Sequence, residues 1–315
     1  MPKFGIRFLH LNRKRSCFSV KEPIFTGSAV AIITPFKGGM VDYHVLDRLL
    51  DLHLESGTDA IVVCGTTGES STMSYHERMR TIEHCVDYVS GRIPVIAGSG
   101  SNSTENAVSL SRDARRAGAN GLLVVTPYYN KATQAGLLRH YRVIADAVDI
   151  PMILYNVPSR TGVNIHPETY AALAGHPNII GTKEANGDLG SIQKTLSLCP
   201  TDFTVWSGND EDTVPICVLG GKGVISVAAN IIPAEIKKLT RMCLEQNFSA
   251  AGRLQVRLKA LFDMLFCEVN PIPVKTAMAM LELSSGELRL PLCPPTEEHK
   301  ELIQNTLTEY GLLKS

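Results

Sequence analysis

Short apolar runs alternate along this chain with longer stretches whose apolar positions recur every three or four residues, the pattern of strands followed by helices. Ser28 to Thr34 is a β-rich run closed by Pro35, and Asp42 stands where it can cap a helix whose apolar stripe is Val45, Leu46, Leu49, Leu50 and Leu54. The unit then repeats. Ala60 to Val63 precedes a helix from about Ser74 to Ser90, Pro94 to Ala97 a helix reaching about Ala117, and Gly121 to Val125 one from about Ala135. Met152 to Tyr155 is followed by a helix from about Pro167, Ile179 to Lys183 by one from about Leu189, Thr204 to Trp206 by one at Glu211 to Leu219, and Gly223 to Val227 by one from about Pro233.

These strands are short, apolar on both faces and joined by helix-length crossovers, which predicts a parallel sheet covered on both sides. Eight such units favour a closed (β/α)8 TIM barrel, with a doubly wound sheet as the structural alternative. Phe248 to Phe266, Ile272 to Leu283 and Thr296 to Leu312 read as further helices, interrupted by Pro271, Pro273 and the stretch Pro291 to Pro295. The expected division is a barrel over residues 23–247 and a C-terminal helical appendage over 248–315. Residues 1–22 differ: Lys3, Arg7, Arg13, Lys14, Arg15 and Lys21 occur with no acidic residue before Glu22. We read them as a disordered basic tail, although a transit peptide or an early start codon gives the same composition.

Composition narrows the function. Lys+Arg and Asp+Glu are balanced at 31 each, so no overall field draws nucleic acid or an anionic membrane. No apolar run approaches the roughly eighteen residues of a membrane span. The eight cysteines are scattered, with no pair at metal-ligand spacing, which predicts reduced thiols in a cytoplasmic protein and no metal site.

In a barrel of this kind chemistry gathers where strands end. Lys183 closes the strand Ile179-Ile180-Gly181-Thr182-Lys183, and simple alternation places Ile179, Gly181 and Lys183 on one face, with room under the lysine stem at Gly181. A dry barrel mouth suits a lysine that acts as a nucleophile, because desolvation disfavours the ammonium form. The plain alternative is a structural pairing with Glu184 or another carboxylate. Gly65-Thr66-Thr67-Gly68 follows the second strand, and its backbone N–H groups and hydroxyls can hold a carboxylate or phosphate. Gly98-Ser99-Gly100-Ser101-Asn102-Ser103 lacks the third glycine of a dinucleotide loop and reads as a polar cap for the next helix, which argues against NAD. Tyr128 and Tyr129 follow the fourth strand as adjacent rim tyrosines suited to packing against a neighbouring subunit or entering a site. Tyr155, one unit before Lys183, offers a phenol for proton transfer, and Arg160 in the loop beyond offers a planar fork for a carboxylate.

Gly57 to Ser70 with its Gly65-Thr66-Thr67-Gly68-Glu69 turn, Thr126-Pro127-Tyr128-Tyr129-Asn130, Tyr155-Asn156-Val157-Pro158-Ser159-Arg160-Thr161-Gly162, Lys183-Glu184-Ala185 and Asn270-Pro271-Ile272-Pro273-Val274-Lys275 closely resemble the dihydrodipicolinate synthase family. The resemblance runs from about Ile24 to the C-terminus. It implies a class I aldolase-like lyase without metal or organic cofactor, condensing pyruvate with L-aspartate 4-semialdehyde through an imine on Lys183, in lysine and diaminopimelate biosynthesis. It further implies that Tyr155 is the proton-transfer group, linked through Thr66 to Tyr129 reaching over from a partner subunit. Thr67 would hold the pyruvate carboxylate, Arg160 that of the semialdehyde, and Gly208 and Ile225 would shape the pocket wall. A homotetramer built as a dimer of tight dimers is also implied.

Members of the family inhibited by lysine bind it near positions matching Ser70, Ser71, Gly100, Asn102 and Tyr128. Tyr75, Arg78 and Asn106 depart from the residues usual there, and Arg78 sets a cation where a cationic ligand would go, so weak or absent lysine feedback is expected. Rival readings are another pyruvate-dependent class I aldolase, such as N-acetylneuraminate lyase, and a non-catalytic metabolite-binding barrel.

Overall fold

The computed structural model of the chain describes residues 20–314. Eight parallel strands close into a barrel: β1 (Gly27–Ala31), β2 (Ala60–Val63), β3 (Val95–Gly98), β4 (Gly121–Val125), β5 (Met152–Asn156), β6 (Ile179–Glu184), β7 (Thr204–Ser207) and β8 (Gly223–Ser226), with β1 pairing both β2 and β8. Around them run α1 (Tyr43–Glu55), α2 (Tyr75–Val89), α3 (Thr104–Arg116), α4 (Gln134–Asp146), α5 (Pro158–Thr161), α6 (Pro167–Leu173), α7 (Leu189–Leu198), α8 (Thr213–Val218) and α9 (Pro233–Leu244). The closed barrel expected from the strand and helix beat is therefore what the chain forms. A small hairpin, Phe36–Lys37 with Met40–Val41, and the one-turn α5 were not foreseen, because two-residue strands and a four-residue helix leave no periodicity to read.

Alternation along the strands sorts the core into two layers. Ala60 and Val62 of β2 pack with Phe25, Ala29, Ile96, Leu123, Ile153 and Trp206 inside the barrel, whereas Ile61 and Val63 join the layer between strands and helices. Local side chains start the helices, and the cap predicted at Asp42 forms. Asp42 accepts from the Val45 amide, Ser74 and Glu77 form a reciprocal capping box, and Ser103 accepts from the Asn106 amide, so the polar loop after β3 does cap α3.

After α9 the chain adds α10 (Phe248–Arg257), α11 (Lys259–Met264), α12 (Ile272–Met280) and α13 (Glu297–Glu309). The single helix expected over Phe248 to Phe266 is broken at Leu258, which ends α10 and starts α11. Among the described residues no helix is long and apolar enough to cross a membrane. Most of the basic tail expected over residues 1–22 lies outside the described residues. Lys21, counted with it, is anchored: its amide donates to Asp202 Oδ2 at 3.1 Å and its ammonium to the carbonyls of Ala174 and Ile179.

One expectation is corrected. The register between β5 and β6 slips: Met152 pairs with Ile179 but Ile153 pairs with Gly181, so Ile180 is an extra residue in a bulge. Ile179 faces the helices and Ile180 the interior, and Ile179 therefore does not share a face with Lys183. Nor does Gly181 leave open room. A Cβ there would lie 2.0 Å from the Thr204 carbonyl oxygen and 2.9 Å from the Trp206 ring, so the neighbouring strand and indole already occupy that space.

Because the obstruction is backbone, Gly181→Ala is expected to cost about 3 kcal/mol of stability in denaturant unfolding. Gly175→Ala, where a Cβ meets nothing within 4 Å, serves as the control and should stay within about 0.5 kcal/mol of the parent.

Candidate active site

The bulge restores the parity that turns Lys183 inward. Lys183 lies in register with Tyr155 on one side and Trp206 on the other, is 4% exposed, and holds its Nζ 4.3 Å from the centroid of the Tyr155 ring. Glu184 faces the opposite way. Its carboxylate accepts from the Tyr170 hydroxyl at 2.8 Å, the Asn156 amide side chain at 2.8 Å and the Asn186 backbone N–H at 3.1 Å. Lys183 is therefore not the structural partner of Glu184.

Lys183 and Tyr155 open into a cavity of about 690 Å³ that is also lined by Thr67, Arg160, Gly208 and Asn270. Thr67 is buried in its turn and its hydroxyl accepts from Asn270 Nδ2 at 3.0 Å. Arg160, on α5, donates from Nη2 to the Asn270 carbonyl at 2.8 Å. Gly208 is held by approach: a Cβ would meet the Ala185 methyl at 2.8 Å and the Glu184 carbonyl oxygen at 3.1 Å. Ile225 is fully buried in the barrel interior with Trp206 and Tyr155, and is not among the residues lining this cavity.

A second cavity, of about 320 Å³, shares Tyr155, Val157 and Arg160 with the first and brings in Thr66 together with Ser70, Ser71, Arg78, Gly100 and Tyr128. It continues into a third, of about 360 Å³, which adds Tyr75 and Asn106. Arg78 donates to the Gly98 carbonyl and the Tyr75 hydroxyl to Asp113. Asn102 lines neither; its carbonyl accepts from Asn130 Nδ2 at 2.9 Å. Tyr129 is 90% exposed, with a left-handed φ of 72°, and stands apart from these three cavities of its own chain.

Two residues near the lysine escaped the sequence. Asn270 bridges Thr67 and Arg160, yet it sits 203 positions after Thr67, with nothing local to mark it beyond the Asn-Pro-Ile-Pro stretch. Asp210 is buried and accepts from the Ser226 hydroxyl and from the backbone N–H groups of Val227 and Ala228, each at 3.0 Å. Burial pushes its carboxyl above the usual carboxylate range, while these hydrogen bonds and the charge of Lys183 act against the shift. In the sequence Asp210 stands just before the helix expected from Glu211 and is followed by two further acidic residues, with nothing to single it out.

Comparison with known proteins adds a family. Residues 24–310 match the model of the "Dihydrodipicolinate synthetase family". The 4-hydroxy-tetrahydrodipicolinate synthase of Caldicellulosiruptor saccharolyticus is 52% identical over 92% of this chain and 98% of its own. The crystal structure of dihydrodipicolinate synthase from Thermotoga maritima superposes with a TM-score of 0.91 at 45% identity, covering 92% of this chain and all of its own (100%). That from Cyanidioschyzon merolae, solved with lysine bound, gives a TM-score of 0.89 at 39% identity, covering 93% and 100%.

The outward face of β6 supplies a pH test. Burial raises the Glu184 carboxyl from about 4.5 to about 7, against its hydrogen bonds from Tyr170 and Asn156. A carboxyl raised on folding stabilises the fold below the unfolded value, and that contribution is lost as pH rises through the folded one. Glu184→Gln should thus gain on the parent protein between about pH 4.5 and 7.5, by on the order of 3 kcal/mol in unfolding free energy. An offset that does not change with pH would contradict the assignment.

Proposed function

The chain belongs to the dihydrodipicolinate synthetase family, and on that premise we propose how its cavity makes 4-hydroxy-tetrahydrodipicolinate from pyruvate and L-aspartate 4-semialdehyde. The reaction serves lysine and diaminopimelate biosynthesis, uses pyruvate without an external cofactor, and is lyase-type chemistry. The observation that carries the mechanism is the inward, buried Lys183 beside Tyr155, with Glu184 turned away.

The amine of Lys183 attacks C2 of pyruvate and water leaves, giving an imine; loss of a C3 proton gives the enamine. C3 then bonds to the aldehyde carbon of the semialdehyde, whose oxygen takes up a proton. The amine of the same substrate closes on C2 and expels Lys183, so the lysine is regenerated. Tyr155 moves the protons, with Thr66 beside it in the smaller cavity. Thr67, fixed by Asn270, receives the pyruvate carboxylate, and Arg160 at the same cavity takes the carboxylate of the semialdehyde. Gly208 lets the cavity wall close against Ala185 and the Glu184 carbonyl, where a side chain would not fit; Ile225 supports that wall from the packed interior.

Tyr129, exposed on the isolated chain, is suited to enter the site of a second copy, and a homotetramer of tight dimers is the assembly that would bury it. The described cysteines are all free, which fits a reducing compartment such as the cytoplasm. Around Ser70, Ser71, Gly100 and Tyr128 the cleft carries the Arg78 guanidinium with no lining carboxylate to receive an ammonium, in line with weak or absent lysine feedback.

Purified protein should turn over pyruvate with L-aspartate 4-semialdehyde and leave N-acetylneuraminate intact; the reverse preference would favour the sialic acid lyase reading, and no turnover of either a non-catalytic barrel. Tyr155→Phe should lower kcat by about 10²- to 10⁴-fold. For the regulatory cleft, millimolar lysine should leave the rate within about twofold, and strong inhibition at that level would overturn the electrostatic reading of Arg78.

A further inference from the structure

The acid that ends Gly65-Thr66-Thr67-Gly68-Glu69 and the lysine that ends Asn270-Pro271-Ile272-Pro273-Val274-Lys275 have no part in the chemistry above, yet the fold brings them into direct contact. Glu69 and Lys275 form an ion pair with both side chains 1% exposed. The pair is fully satisfied. Lys275 also donates to the Glu287 carbonyl at 2.8 Å and lies 4.1 Å from the centroid of the Phe36 ring, while the second oxygen of Glu69 accepts from the Arg289 amide at 3.1 Å.

Stability does not account for such a pair, since two desolvated charges commonly do no better than apolar side chains of similar volume. What the pair fixes is place. Cys64 and Glu69 both have left-handed backbone, φ 53° and 52°, in residues other than glycine. The turn between these strained ends carries Thr66 and Thr67. Further ties reach the same turn: the Thr34 hydroxyl donates to the Gly68 carbonyl at 2.7 Å, and Asn270 to Thr67 at 3.0 Å. Asn270 and Lys275 come from the one segment that opens and forms α12, so the C-terminal helices grip the turn at two points.

We propose that Glu69 and Lys275 are positioning residues for pyruvate, their buried pair holding the Thr66-Thr67 turn against α12 in the strained conformation that presents Thr67 to the pyruvate carboxylate. The proposal rests on the reading of Thr67 given above.

The test uses the full chain and three variants: Glu69→Leu/Lys275→Met, which replaces the pair by apolar side chains, Glu69→Gln, which keeps shape and an acceptor, and Thr67→Val. Each is measured for thermal unfolding, for KM of both substrates, and for the pyruvate concentration that half-saturates borohydride trapping. The double variant should melt within a few degrees of the parent, yet need at least about tenfold more pyruvate by both readouts, with the aldehyde KM moved by less than about threefold. A folded double variant or Glu69→Gln with parental pyruvate saturation overturns the proposal. So does failure of both to fold, which would make the pair a stability element. If instead Thr67→Val leaves pyruvate saturation unchanged, the reading of Thr67 fails, separately from the role of the pair.

Discussion

The parity of one strand governs this molecule. Side chains on a strand alternate, so a single extra residue exchanges the two faces for everything beyond it. In β6 that residue is Ile180. Without the bulge Glu184 would face the barrel interior and Lys183 the helices; with it the lysine stands beside Tyr155 and the carboxylate among Tyr170, Asn156 and the Asn186 amide. The outward face accommodates its polar residues with hydrogen bonds, Thr182 donating to Leu154 and Tyr170 at 3.2 Å each, so the strand carries buried polar groups on both sides without stranding those of the outer face.

The remainder of the cavity is assembled from distant parts of the chain. Strand ends supply Lys183 and Tyr155, a turn supplies Thr67, the one-turn α5 supplies Arg160, and Asn270 joins the last two from beyond the barrel. The helices after β8 are thereby more than an outer layer. They brace both the Thr66-Thr67 turn and α5 through Asn270, and loops gain precision from bracing of this kind.

Much of this was legible beforehand. Strands bounded by Pro, Gly and capping residues fell within a residue or two of their positions for β2, β4 and β8, because short apolar runs between amphipathic helices leave little choice of period. Lys183, Tyr155, Thr67, Arg160 and Gly208 meet at one cavity, as residues at strand ends of a barrel do. The bulge was hidden, since nothing in Ile179-Ile180-Gly181 distinguishes an inserted residue from plain alternation, and Gly181 looked like spare room when a neighbouring carbonyl fills its place. Asp210 was masked by the acids that follow it, and Asn270 by its distance along the chain. Tyr129, expected beside Thr66, stands in solvent on the single chain and lines none of the three cavities.

The central claim is that the amine turned inward by the bulge is the one that bonds to the keto acid. Incubation with pyruvate, reduction with borohydride and peptide-resolved mass spectrometry tests it most directly. The account predicts one reduced pyruvyl adduct, carried by the peptide containing Lys183. An unchanged chain mass, or an adduct on another lysine such as Lys275 or Lys21, would contradict it.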